Sequence, residues 1–358
     1  MRHRRMSVGR YRCWPAILAG ALLVSGCGGG GGSAGTVIVA AATPTPAPTP
    51  MAANPVATAE QVEAERSNAA IVSKADAAYR VGATGRGIGI AIIDTGIVPA
   101  LSEFAGRIDP ASANLGSDRG LIDLDGHGTA MASIAAAARD GRGIHGLAYD
   151  ASIVSLNASR AEKCWDSACP VQSDLVIAAI DAAIAARVRV INMSFNVDQT
   201  VEPLVAAVRR AAAAGIVMVI SAGNESASQP LLLSRSFAEA GSGHVIIVGG
   251  IDAAGRPYHS GNPAGSGTAA ASYLMALGVD VNMLDRNGSV IVQSGTSASA
   301  AVVSGAVALI AQARPNLTGA QIVTLLLNNA TDLGDPGRDA VYGNGALNIA
   351  SVLAASAG

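Results

Sequence analysis

Aromatic side chains are scarce in these 358 residues: three Phe, two Trp and six Tyr, 3% in all. A chain so poor in flat rings has little on which to stack bases, which argues against a nucleic-acid binder of the stacking kind. Charge is sparse as well, at 14%. Five of the 24 basic residues (Arg2, Arg4, Arg5, Arg10 and Arg12) precede the first acid, Glu60, which leaves 19 basic against 26 acidic residues in the remainder. A mildly acidic body carries no electrostatic footprint for a polyanion. Cysteines number only four, and none has the further ligands that a zinc site needs nearby. What is abundant is small: 42 Gly and much Ala, a composition suited to tightly packed helices and sheet. The length allows one large domain or two medium ones.

The N-terminus reads as a targeting segment. A basic start leads into the apolar run 16–24, too short and wrongly flanked for a spanning helix. The run ends in Leu23-Val24-Ser25-Gly26-Cys27, which resembles a bacterial lipoprotein box. Residues 1–26 are therefore expected as a lipoprotein signal peptide, with Cys27 as the acylated first residue of the mature chain; an ordinary signal with an incidental cysteine is the alternative. Several acyl chains anchor stably where one does not. Residues 27–57 are Gly-rich and then Thr/Pro-rich, the composition of a semi-rigid, disordered tether. Within it, Gly31-Gly32-Ser33-Ala34-Gly35 matches the nucleophile-elbow pattern, but no strand enters and no helix leaves it. Cys164 and Cys169, five residues apart in an exported chain, are expected to pair.

Residues 58–356 are expected to fold as the globular domain. A helical pattern over 57–83 carries Val62, Ala69, Ile71 and Ala78. Near-continuous apolar strands follow at 88–93, 151–156, 188–193, 216–221 and 244–248, with helical stretches around 131–138, 174–186 and 201–214. Apolar strands alternating with helices predict an α/β fold: a doubly wound, mostly parallel sheet covered on both faces. Ligands in such sheets sit outside the carboxyl ends of the strands.

Three polar motifs fall at those ends or at helix starts. Asp94-Thr95-Gly96 closes the first strand, and Asp94 there is either a turn aspartate or a site residue. In Asp125-Gly126-His127-Gly128-Thr129 a histidine between glycines opens a helix, and the glycines allow another segment to approach its ring. In Ser221-Ala222-Gly223-Asn224-Glu225, Asn224 either ends a strand or donates a side-chain N–H. A fourth motif, Gly295-Thr296-Ser297, turns from a β-branched run into a long apolar helix. Ser297 in the first helical turn meets unpaired N–H groups and the positive end of the dipole, which favour a developing anion. It is either a cap or a nucleophile.

Asp94-Thr95-Gly96, His127-Gly128-Thr129, Ala222-Gly223-Asn224 and Gly295-Thr296-Ser297, in that order, resemble the motifs of the subtilisin-like serine proteases, the subtilases or peptidase S8 family. The likeness runs from about Ala77 to Val352. Ala77–Gly85, Ala330-Thr331-Asp332-Leu333-Gly334 and Tyr342-Gly343-Asn344-Gly345 look like the subtilase passenger domains of Gram-negative autotransporters. The resemblance implies a serine endopeptidase in which Asp94, His127 and Ser297 form the triad and the Asn224 amide completes the oxyanion hole. Substrate would run along Ser194-Phe195-Asn196 and past Ala222 and Gly223. The Cys164–Cys169 pair would border the cleft. No cofactor is implied. Structural calcium occurs in the family, but no ligand cluster in the sequence calls for it, and no metal site is assigned.

The pattern has departures. Asn196 and Val197 stand where the family usually has glycines, Ala301 and Leu277 where it usually has prolines, and the segment after Cys27 is too short for the usual folding pro-domain. The altered substrate strand keeps a second reading open: a catalytically silent, membrane-tethered subtilase fold that binds or scaffolds. The expected partners are protein or peptide substrates and, through the lipid, a membrane. The expected location is the periplasmic face or the outer membrane and cell surface of a Gram-negative-type bacterium, with Gly28 after the lipid cysteine favouring the outer membrane.

Overall fold

Each of the apolar strands expected at 88–93, 151–156, 188–193, 216–221 and 244–248 becomes one strand of a parallel sheet. The computed structural model describes residues 57–164, 169–197 and 201–355; the expected signal peptide, Cys27 and the tether up to residue 56 lie outside the described residues. Strands β1 (Gly89–Asp94), β2 (Ala113–Asn114), β3 (Ser152–Asn157), β4 (Val190–Met193), β5 (Val217–Ser221), β6 (Val245–Ile251) and β7 (Tyr273–Leu277) lie in the order β2-β3-β1-β4-β5-β6-β7. Every neighbouring pair is parallel. An antiparallel hairpin, β8 (Val281–Leu284) and β9 (Val290–Gln293), leads into the Ser297 motif.

The helical pattern over 57–83 is three short helices rather than one: α1 (Ala59–Arg66), α2 (Asn68–Val72) and α3 (Asp76–Arg80). Ser67 ends the first by turning its hydroxyl back onto the Glu63 carbonyl at 2.8 Å, and Lys74, at φ +57°, stands between the second and third. The expected apolar stripe holds for Ala69 and Ala78 but not for Ile71, which is 58% exposed. Glu63 is buried instead, its carboxylate accepting the Asp140 and Gly141 N–H groups at 3.1 Å each.

Further along the chain come α4 (His127–Ala136), α5 (Ser173–Ala185), α6 (Glu202–Ala213), α7 (Leu232–Ala240) and α8 (Gly267–Ala271). They are followed by α9 (Thr296–Ala313), α10 (Gly319–Asn328) and α11 (Ile349–Ala354). Helices α4 and α9 cover one face of the sheet, and α5, α6 and α7 cover the other. Along β1 the faces alternate: Ile90 and Ile92 enter the first core, Ala91 and Ile93 the second. Two-sided burial is why these strands read as near-continuous apolar runs. Helix α9 is apolar enough to pass for a membrane span, yet it is 83% buried within the fold. Its Val302, Val303, Val307, Leu309 and Ile310 are fully buried, each stabilising the domain by roughly 1.5–3 kcal/mol. The order in which strands are added reverses about β1, which pairs with β3 on one side and β4 on the other. The crevice outside the carboxyl ends of β1 and β4 is thus the topological switch point, where ligands bind in open α/β sheets.

On the α4 side, Glu103 is buried, and among the described residues its Oε2 accepts no hydrogen bond. Burial, reinforced by the charges of Asp140 and Glu63, pushes its carboxyl up to about 7 from 4.5, against the pull of Arg107 and Arg142. The folded protein then holds a proton that the unfolded chain has lost, so stability falls as pH rises between those two values. Glu103→Gln is expected to abolish this slope and to gain stability over the wild type at pH 8 relative to pH 5. Urea midpoints at the two pH values measure it, and equal differences at both would refute the assignment.

Candidate active site

Asp94 ends β1 with its carboxylate 1% exposed, and Oδ1 accepts two hydrogen bonds, from His127 Nδ1 and from the Thr95 N–H, both at 2.8 Å. Oδ2 is buried and accepts none among the described residues. His127 is the first residue of α4, a third exposed at its side chain. Burial alone lowers its pKa, but the charge and hydrogen bond of Asp94, with Asp125 and Asp123 behind it, outweigh that and raise it to about 9. Gly128 makes the close approach possible: a Cβ there would stand 2.2 Å from the Gly96 carbonyl oxygen and 3.2 Å from Asp94 Cβ.

The histidine loop is held by a residue that the sequence reading passed over. Buried Asp123 accepts from Thr95 Oγ1 (2.8 Å) and Gly126 N (2.7 Å) on one oxygen, and from Thr129 N (2.8 Å) and Thr129 Oγ1 (2.6 Å) on the other. Thr95 Oγ1 in turn accepts from Gly128 N at 3.0 Å. One carboxylate therefore ties the end of β1 to the first turn of α4, and so fixes Asp94 relative to His127. A carboxylate four residues before a histidine is the only sequence signal of it.

Ser297 is the second residue of α9 and does not cap it; the cap position belongs to Gly295. Its hydroxyl donates to the Ser194 carbonyl at 3.0 Å, and the Ser194 hydroxyl donates back to the Ser297 carbonyl at 2.9 Å. The Ser297 hydroxyl is thus taken up by the Ser194 carbonyl and not by the imidazole. Behind the serine pair, buried Asn192 donates to Ser194 Oγ and accepts from Ser304 Oγ, each at 3.0 Å, bracing β4 against α9. In the expected substrate strand Ser194 is buried, Phe195 half-buried and Asn196 exposed. The Asn196 side chain accepts from the Val197 N–H at 2.9 Å.

Asn224 follows β5 and is exposed. Thr296 donates to its Oδ1 through both N–H (2.9 Å) and hydroxyl (3.0 Å). Two donors on one atom identify that atom as the oxygen, which leaves the Nδ2 donor free of this anchor. The loop is fixed from beneath by buried Asn262, which donates to the Ala222 carbonyl (3.2 Å) and accepts from Glu225 N (3.2 Å) and Ala227 N (2.9 Å). Gly295 is extended rather than left-handed, and a Cβ there would lie 3.8 Å from Asn224 Nδ2 and 4.0 Å from Ser297 N. Its bare Cα keeps the space between these two donors open.

Beside His127 runs a cleft of about 310 Å³, lined by Asp125, Gly126, Arg286, Asn287 and Gln293 among others, with the β8–β9 turn as its far wall. Cys164 and Cys169 form a disulfide, as expected. Among the described residues no three His, Cys, Asp or Glu side chains are grouped to hold a metal ion.

A serine at a helix start, a histidine bonded to a buried aspartate and an oriented amide, together at one end of a parallel sheet, define a hydrolase of the nucleophilic serine type. Residues 85–345 match the subtilase family model, Peptidase_S8. The chain belongs to the subtilase family and is a serine endopeptidase of that family. It is 29% identical to subtilisin DY of Bacillus licheniformis over 77% of this chain and 94% of that protein. With subtilisin E of Bacillus subtilis (strain 168) it shares 32% identity over 77% of this chain and 68% of the other. Among solved structures it superposes on MycP1 with the N-terminal propeptide removed, at a TM-score of 0.64 and 25% identity, covering 80% of this chain and 96% of that one. Subtilases need no organic cofactor.

Proposed function

We propose that the chain is an exported, lipid-anchored endopeptidase in which Ser297 attacks the peptide carbonyl, His127 carries the proton and Asp94 orients the imidazole. The observation that carries this reading is the 2.8 Å bond from His127 Nδ1 to a carboxylate buried at the end of β1. That bond places the proton on Nδ1 and leaves Nε2 as the acceptor. The Ser297 hydroxyl turns from the Ser194 carbonyl to Nε2, and the histidine takes its proton as Oγ bonds to the carbonyl carbon. The oxyanion is held by Ser297 N–H and Asn224 Nδ2. The C–N bond then breaks, the imidazolium protonates the leaving amine, and water repeats the sequence to release the acid. Substrate lies along Ser194, Phe195 and Asn196 and past Ala222 and Gly223. The Ser194 carbonyl freed by the hydroxyl is then available to a substrate N–H. Cys27 carries the lipid, and residues up to about 57 tether the enzyme to the periplasmic face or outer membrane of a Gram-negative-type cell.

One experiment tests both parts. A fluorophosphonate probe applied to cell fractions is expected to label the wild-type chain in the membrane fraction. Ser297→Ala should abolish labelling, and Cys27→Ala should move the labelled band to the soluble fraction. An unlabelled wild-type chain favours the silent, scaffolding reading, and a soluble wild-type band removes the anchor.

A further inference from the structure

The carboxylate of Asp125 faces two ways. Oδ1 accepts the His127 N–H at 3.1 Å, on the first residue of α4, and Oδ2 accepts the Cys169 N–H at 3.0 Å, on the disulfide-closed loop. Gly126, at the cap position of α4, supplies no side chain to the helix start. Asp125 is therefore the side chain that takes up the first free N–H of this helix. On the loop side, Cys169 is buried and joined to Cys164. The base of the loop is closed by the Ser159–Val171 bridge and by the bond from Gln172 N to the Ala158 carbonyl at 2.9 Å. From this arrangement we propose that Asp125 is a positioning residue that couples the Cys164–Cys169 loop to His127, so that the disulfide sets the histidine rather than serving only as a surface staple. The proposal rests on His127 being the proton carrier.

Electrostatics follow the same route. Burial raises the Asp125 carboxyl, while the Cys169 N–H, the His127 charge and the His127 N–H, in that order, lower it; Asp123 opposes them. Asp285 and Arg286 line the same cleft from the β8–β9 turn. The loop N–H thus helps keep Asp125 ionised, and ionised Asp125 helps raise His127. An Asn at this position has one acceptor atom for two opposed N–H groups, so it cannot make the bridge.

The full chain is compared as wild type, Asp125→Asn, Cys164→Ser/Cys169→Ser and the combination. The His127 titration by NMR and kcat/KM on a peptide amide are measured for each. Asp125→Asn is expected to lower the His127 midpoint and to cost roughly ten- to a hundredfold in kcat/KM, the scale of a small misplacement of a catalytic group. Opening the disulfide should shift the His127 titration while Asp125 is present and leave it unmoved in the Asp125→Asn background, and the two losses should not multiply. Independent shifts and multiplying losses overturn the coupling. So does an Asp125→Asn titration identical to the wild type. If the wild type neither turns over nor takes the fluorophosphonate, the enzymatic reading fails on its own, and the NMR titrations still decide whether the loop and the histidine are coupled.

Discussion

Asp94→Ala is expected to reduce kcat about 10⁴-fold, the scale on which loss of the triad aspartate acts in subtilisin, and Asp94→Asn is expected to cost distinctly less. The difference follows from how the carboxylate is bonded. Thr95 N–H and His127 Nδ1–H both converge on Oδ1, and among the described residues no hydrogen bond reaches buried Oδ2. An asparagine in the same rotamer keeps its carbonyl oxygen where both donors need an acceptor and turns its amino group into the Oδ2 position. The imidazole then retains the tautomer that leaves Nε2 free, and what is lost is the charge that stabilises the imidazolium. Where the amide can flip instead, the wrong tautomer forms and the loss approaches that of the full deletion. Turnover of a peptide amide by both variants, each shown folded by its thermal transition, measures the difference. Equal losses would overturn the bonding argument.

The same aspartate sets the pH dependence. Catalysis needs neutral His127, so kcat/KM should rise with pH towards about 9, where the imidazole loses its proton. Stability runs the other way. The folded pKa lies above the ordinary 6.5, so the stabilisation from this pair is complete below 6.5 and is lost as pH rises through about 9. In Asp94→Asn the rise of kcat/KM should move to lower pH and the stability dependence should shrink, because burial, which lowers the imidazole, is no longer opposed by the Asp94 charge.

Much of this was legible in the sequence, and for a physical reason. Strands buried on both faces have no polar side, so β1, β3, β4, β5 and β6 read as near-continuous apolar runs, and the site motifs fall at their carboxyl ends or at helix starts. Strand β7 and helix α7 were not anticipated. Strand β7 is a five-residue apolar run continuous with the Ala-rich segment before it, and its pairing with β6, Tyr273 opposite Ile247, sets it as a strand. Helix α7 does carry a helical period, with Leu233, Phe237 and Ala238 on its buried face. Residues that act through others were also hidden. Asp123, Asn192 and Asn262 are ordinary polar residues in one dimension, and only the fold shows that each joins two segments. The helical pattern over 57–83 holds, but its breaks are not legible in it: buried Glu63 and Ser67 accept tertiary hydrogen bonds, the latter from His145 N at 2.8 Å. Periodicity counts such residues as polar.

Asn224→Ala should lower kcat by about 10²–10³ with little change in KM, the magnitude found when the matching donor is removed from subtilisin. The argument rests on which end of the amide is committed. Thr296, the residue before Ser297, holds Oδ1 through two hydrogen bonds, so Nδ2 is set by the same helix turn that sets the Ser297 N–H. The two donors cannot drift apart without breaking that turn, and the bare Cα of Gly295 leaves room between them. Such an arrangement meets a charge that exists only after Oγ has bonded to the carbonyl carbon. Its loss therefore raises the barrier without weakening ground-state binding. Initial rates on a peptide amide over a range of substrate concentrations separate the two parameters. A fall carried by KM, with kcat preserved, would show that Asn224 binds substrate rather than the oxyanion and would leave the Ser297 N–H as the donor at this site.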